Sequence, residues 1–226
     1  MNTGFDELEV PAHDGATLHA RMHAGSTAPL VFLHDLGMDG AYWQPVMQAI
    51  VSSDPDITML AIDLRGHGAS DRGTETSRKR LVKDLRVWLD RLQLPAPVLV
   101  GHGYGADIAL ASDIPAAVVA INPAFGREPV PLDADFALPP GLRGARDAAA
   151  LVACTVGATE AKPLKRSRRD APLFLVLSDP ADTDVEGLET FLDVAEDVQL
   201  WRLGSRHLPI ESPLGLAAIL LGWELI

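Results

Sequence analysis

Apolar runs of strand length alternate along this chain with stretches in which apolar residues recur every three to four positions. That rhythm predicts βα units and a mainly parallel sheet. Buried strands are expected at 29–34, 56–64, 97–100, 116–122, 172–178 and 198–203. Helices are expected at 41–52, 75–94, from 105 to about 114, 184–196 and 212–225. The helix over 75–94 has the clearest period: Leu81, Leu85, Trp88, Leu89 and Leu92 line one face, suited to packing on a sheet. In the helix over 184–196, Val185, Leu188, Phe191, Leu192 and Ala195 do the same. Residues 4–24 break the pattern. Two short segments flank Asp14-Gly15 and read as an antiparallel hairpin.

A second interruption spans 126–171. It is Pro-rich at first, then Ala-rich and helical over 145–156, then basic at Lys165-Arg166-Ser167-Arg168-Arg169. An insertion between two core strands is a candidate lid, and its basic run reads as a solvated face. No internal repeat is present. With 226 residues, 47% hydrophobic and 22% charged, the chain is long and apolar enough for one substantial core. It reads as a single domain, 1–226, carrying that short lid.

A net charge of −12 leaves no basic stripe for phosphates, so no nucleic-acid partner is expected. The first seven residues have no cationic start or apolar core of a signal peptide. The apolar stretch at 214–223 is about half a bilayer span, so no membrane partner is expected either. Cys154 is the single cysteine, more suited to core filling than to nucleophilic work, and a cytoplasmic setting is expected.

The chemistry concentrates in five motifs. Leu33-His34-Asp35-Leu36-Gly37 follows the first parallel strand, and Tyr42-Trp43 lies on the helix beyond it. Asp63-Leu64-Arg65-Gly66-His67-Gly68-Ala69-Ser70 follows the next strand. Gly101-His102-Gly103-Tyr104-Gly105 closes the run Pro97-Val98-Leu99-Val100. Ser178-Asp179-Pro180-Ala181-Asp182 and Ser205-Arg206-His207-Leu208-Pro209 follow later strands. In this order they resemble the α/β-hydrolase superfamily over nearly the whole chain, the insertion excepted. The resemblance implies an α/β-hydrolase fold: a mostly parallel twisted sheet, helices on both faces, an antiparallel N-terminal hairpin and a small lid.

It also implies a site. The 101–105 segment has the frame of a nucleophile elbow, G-x-S-x-G, with Gly103 where the serine stands. A glycine can neither attack a carbonyl nor carry an acyl group. The resemblance assigns the triad acid to Asp182, in preference to Asp179 and Asp184, and the histidine to His207. The oxyanion hole would use the backbone N–H groups of Leu36 and Tyr104, which depend on no particular side chain. Asp35 replaces the second residue of the family's His-Gly pair; Asp tolerates a left-handed backbone, which would preserve the loop's shape.

His34, Asp35 and His102 are candidate binding residues, though His34, His67 and His102 also read as loop-shaping histidines. Arg65 and Ser70 read as turn hydrogen-bonders. His13, His19 and His23 are expected on the hairpin's surface, without the Cys or carboxylate spacing of a metal site. No cofactor is implied, and the expected partner is a small-molecule ligand or substrate.

Three functions stay open. One is an acid–base catalyst, a lyase, cyclase or water-activating hydrolase, that uses a His207-Asp182 dyad on a small, largely apolar carbonyl compound. Another is a non-catalytic pseudo-hydrolase binding a ligand or partner. The last is a serine esterase or acyl hydrolase inactivated by a Ser-to-Gly change.

Overall fold

A computed structural model describes residues 4–27, 29–73, 75–125, 171–177, 185–193, 198–204 and 207–222. The hairpin forms as expected, with β1 (Asp6–Pro11) and β2 (Thr17–His23) joined through a turn at Gly15, where φ is +84°. The remaining strands are β3 (Leu30–Leu33), β4 (Met59–Asp63), β5 (Val98–His102), β6 (Ala117–Ile121), β7 (Leu173–Leu177) and β8 (Val198–Arg202). They build an eight-stranded sheet in the order β1-β2-β4-β3-β5-β6-β7-β8. The β1–β2 and β2–β4 pairs are antiparallel and the rest parallel. Strands β3 to β7 are buried throughout, which explains why they read as unbroken apolar runs rather than alternating ones.

Helices cover both faces. On one face lie α2 (Arg78–Leu92) and α3 (Tyr104–Ala111). There Leu81, Leu85, Trp88 and Leu89 pack with Leu33, Leu60, Leu99 and Ile108. Ser77 caps α2 by accepting the Arg80 N–H, and Gln93 ends it in the left-handed region. On the other face a 3-10 turn (Gly40–Trp43) leads into α1 (Gln44–Ser53). The single helix expected over 41–52 is divided because Pro45, which has no N–H to donate, sits in the first turn of α1.

The chain closes with α4 (Val185–Leu192), α5 (Leu208–Glu211) and α6 (Pro213–Gly222). Leu188 and Phe191 on α4 are buried as their spacing predicts, while Leu192 is exposed. The closing helix expected over 212–225 forms as α6 from Pro213, with the separate short helix α5 ahead of it and Ser212 between them at φ −140° and ψ 56°. Helix α3 stops at Ala111, because Ser112 turns extended ahead of Pro115. Trp43, Met47 and Leu216 join Phe32, Val100 and Val119 in the second face's core.

Most of the expected lid and Cys154 lie outside the described residues, as do Asp179, Asp182 and Asp184. Among the described residues no helix is long and apolar enough to cross a membrane.

Candidate functional site

Parallel strands direct their C-terminal ends to one edge of the sheet, and the segments leaving β3, β4 and β5 meet there. The turn after β5 is sharp. Gly103 has φ +53° and ψ −119° and passes directly into α3 at Tyr104. Its flanking glycines are required by close packing. A Cβ on Gly101 would stand 2.5 Å from the Ala106 Cα, and one on Gly105 would stand 2.3 Å from the Leu33 carbonyl oxygen. The repeated glycine of the motif thus reflects helix-to-strand contact as well as the turn itself.

The N–H groups of Leu36 and Tyr104 converge on one point, and that point holds the Asp35 carboxylate. Asp35 Oδ1 accepts from Leu36 N at 2.8 Å and from Tyr104 N at 2.7 Å. Among the described residues, neither of these bonds nor any other falls on Oδ2. The same carboxylate fills the space above Gly103. A Cβ there would lie 2.1 Å from Asp35 Cγ and 2.2 and 2.3 Å from its two oxygens.

The left-handed backbone expected of Asp35 is not found. Positive φ at non-glycine residues, among those described, is confined to Gln93, Ala96, Asn122 and Phe125. It is the side chain of residue 35, not its backbone, that distinguishes this loop. The signal was present in the sequence as a complementary exchange: the turn lacks a side chain at 103 while the facing loop has gained one at 35.

Two buried histidines hold the loop from beneath. His34 Nδ1 lies 2.7 Å from the Asp35 carbonyl, while its Nε2 accepts the Leu64 N–H at 2.9 Å. His67 Nε2 accepts the Gly37 N–H at 3.1 Å, and its Nδ1 faces the Arg65 carbonyl at 3.2 Å. Each ring is therefore assigned its proton on Nδ1. Burial pushes both imidazoles below their ordinary pKa, His67 to about 3 with the neighbouring His34 adding to the effect. Neutral rings that accept one backbone N–H and donate to one carbonyl tie the 34–37 loop to the 64–67 turn. His34 is fully buried and has both nitrogens so engaged, as a loop-shaping histidine would be.

His207 precedes α5 and is partly exposed. Its Nδ1 lies 3.4 Å from the Tyr42 hydroxyl, a long contact. The rings of Tyr42, His102 and His207 form a triangle, with centroid distances of 5.4 Å from Tyr42 to His102 and 6.3 Å from His207 to each of the others. Burial, with the Asp35 and Glu211 charges, raises the Tyr42 phenol's pKa and keeps it protonated. The structure thus brings together Asp35, Leu36, Gly103, Tyr104, Tyr42, His102 and His207, whereas Asp182 is outside the described residues. Tyr42 was noted in the sequence only as part of the helix after the loop.

One expectation fails on the hairpin. His19 is buried, not on the surface, because β2 is an inner strand flanked by β1 and β4. Its Nδ1 lies 2.9 Å from Asp63 Oδ2 and its Nε2 2.6 Å from Glu7 Oε2. The hydrogen bond its ring donates to the Asp63 carboxylate raises its pKa against the opposing pull of burial. His13 is exposed, as expected, and His23 half-buried. Arg65 does more than bond a turn: its buried guanidinium forks onto Asp84 at 2.7 and 2.8 Å and reaches Asp14 at 2.9 Å. Ser70 Oγ donates to the Asp63 carbonyl at 2.6 Å and accepts from His19 N.

The sequence model of the alpha/beta hydrolase family matches residues 30–220. The chain belongs to that family. Within it, the chain is 34% identical over 104 residues to 3-oxoadipate enol-lactonase 1 of Acinetobacter baylyi, a match covering 46% of this chain and 38% of that protein. It is 30% identical over 107 residues to sn-1-specific diacylglycerol lipase ABHD11 of Danio rerio, covering 47% and 33%. The matched stretches are thus well under half the length of these relatives.

Solved alpha/beta hydrolase structures align almost end to end. An epoxide hydrolase from metagenomes of hot environments superposes with a TM-score of 0.75 at 17% identity, covering 97% of this chain and 98% of that one. The bottromycin epimerase BotH superposes with a TM-score of 0.72 at 23% identity, covering 95% and 99%. At such identities the likeness establishes the alpha/beta hydrolase fold and no activity.

Proposed function

We propose that this alpha/beta hydrolase works without an acyl-enzyme, as an acid–base catalyst on a small, largely apolar carbonyl compound, with Gly103 at the family's nucleophile position. The observation that carries this reading is the Asp35 carboxylate, bonded to the Leu36 and Tyr104 N–H groups and seated where a side chain at 103 would begin. Acyl transfer through a serine needs both places at once: the seat above 103 for the nucleophile and the paired N–H groups for the developing oxyanion. One negative group fills both. An incoming oxyanion would meet a carboxylate where it needs hydrogen-bond donors.

The same geometry weighs against an esterase merely inactivated by a Ser-to-Gly change. A serine at 103 would require residue 35 to be rearranged as well. His207 is the proposed proton carrier, with Asp182 as its proposed acid partner, and the Tyr42 hydroxyl 3.4 Å from its Nδ1 supports that role. Positioned acid–base catalysis contributes about 10²- to 10⁴-fold on its own, enough for a lyase, a cyclase or a water-activating hydrolase.

The test is incubation of the purified protein with an extract of small metabolites, followed by mass spectrometry of extract and protein. A product whose formation stops in His207→Ala, with no covalent protein adduct, is the expected result. A protein acyl adduct would overturn the reading. Binding without any product would favour the pseudo-hydrolase instead.

A further inference from the structure

We propose that Asp35 is the base of this site, its Oδ2 removing a proton from the carbon beside the carbonyl of a small enolisable substrate. The inference rests on the non-acyl-enzyme reading and adds the reacting group and the substrate class. A carboxylate that merely filled a gap would need no fixed orientation, but Asp35 is held at both ends. Its carbonyl faces His34 Nδ1 at 2.7 Å and accepts the Met38 N–H at 3.2 Å. Its Oδ1 is fixed by the two converging N–H groups. Those bonds leave Oδ2 as the oxygen able to take a proton, on a partly exposed residue. This is the geometry of a preorganised base: one oxygen anchored, one available, and the backbone pinned from behind.

In this proposal His207 supplies the acid. His207 is partly exposed, and the buried Tyr42 hydroxyl lies beside its Nδ1. In the proposed step Oδ2 takes the proton from carbon, and the C–H electron pair becomes the C=C bond of an enol. The carbonyl π pair moves to oxygen, which receives a proton from His207. Return of the Asp35 proton to the same or the conjugated carbon, and of the enol proton to His207, restores both groups. The net reaction is an isomerisation or epimerisation that requires no co-reactant.

The test uses cyclohexanone and acetophenone as probes, with deuterium incorporation in D2O followed by proton NMR at neutral pD. The wild-type protein should exchange the α-protons of at least one ketone faster than buffer does. Asp35→Asn keeps an oxygen for the two N–H groups and should lower that excess rate by about 100-fold or more. Asp35→Ala serves as a second variant, and circular dichroism establishes that each is folded. Unchanged exchange in both folded variants overturns the proposal, as does a wild-type rate equal to buffer. Exchange that survives Asp35→Asn but stops in His207→Ala would remove Asp35 as the base and leave the non-acyl-enzyme reading standing.

Discussion

The Asp35 carboxylate occupies the volume that a side chain on Gly103 would enter, its Cγ 2.1 Å from where that Cβ would stand. Residues 35 and 103 are thus alternatives for one space. Gly103→Ser alone must displace the carboxylate and also place a non-glycine residue at φ +53°, a backbone cost of roughly 1–3 kcal/mol. The single variant should show no hydrolysis of p-nitrophenyl acetate above wild type, and its urea midpoint should fall. Combined with Asp35→Gly, which clears the space and frees both N–H groups, the same change should raise hydrolysis at least about 100-fold, the scale of one recovered oxyanion donor. Equal activity in single and double variants would show that Asp35 is not the obstacle.

Tyr42 connects the core to His207. Its ring is packed against Trp43 and His102, with centroids at 5.6 and 5.4 Å, so Tyr42→Phe keeps the packing and removes only the hydroxyl near His207 Nδ1. A contact of 3.4 Å contributes little to folding, and the loss of stability should stay within about 1 kcal/mol. Turnover should fall about tenfold, because the imidazole loses a fixed neighbour. A large fall in stability with unchanged ketone exchange would make the hydroxyl a folding group only.

How much of this was legible in the sequence differs by scale. The strands from β3 to β7 announce themselves because they are buried on both faces, and α2 because its stripe of Leu81, Leu85, Trp88 and Leu89 faces the sheet. The turn at Gly103 was visible from glycine spacing alone. What was not visible depended on distant contact. Asp35 meets the Tyr104 N–H across 69 positions, and no local pattern reports where a loop side chain will point. His19 read as surface because alternation along a hairpin cannot tell that a further strand, β4, flanks β2. The pairing of Arg65 with Asp14 and Asp84 was hidden for the same reason.

Arg65 provides a direct test of those hidden pairings. Its side chain is fully buried, and its planar fork meets Asp84 through two nitrogens while also reaching Asp14, joining the 63–70 turn to α2 and the hairpin. Arg65→Ala removes the fork but leaves Arg80 beside both carboxylates, 2.7 Å from Asp14 and 3.6 Å from Asp84, and should cost about 1.5–3 kcal/mol in urea unfolding. Arg65→Lys cannot reproduce the fork and should recover only part of that loss. A cost below about 1 kcal/mol for Arg65→Ala would mean that these carboxylates find water instead.

Stability should be lost on both sides of neutral pH, by different groups. On the acid side, buried His67 has its pKa lowered from 6.5 to about 3, so the unfolded chain takes up a proton there first. Its contribution is complete above about pH 6.5 and declines as the pH falls toward 3. Asp63 and Asp14 are each lowered from 3.8 to about 2. For Asp63, burial pulls upward but is outweighed by His19, the Ala69 N–H, Arg21 and the Gly40 N–H. Their stabilisation is present above about pH 4 and lost between 4 and 2, with Asp63 alone accounting for about 2 kcal/mol. On the alkaline side His19, whose pKa is raised by Asp63, stabilises fully below 6.5 and loses its contribution as the pH rises through its folded value. Urea unfolding at pH 3, 5, 7 and 9 should therefore show a gentle acid decline that steepens below pH 4. His19→Gln should flatten the alkaline limb while leaving the His67 decline between pH 6.5 and 4 unchanged. An alkaline limb as steep in that variant as in wild type would place its source elsewhere.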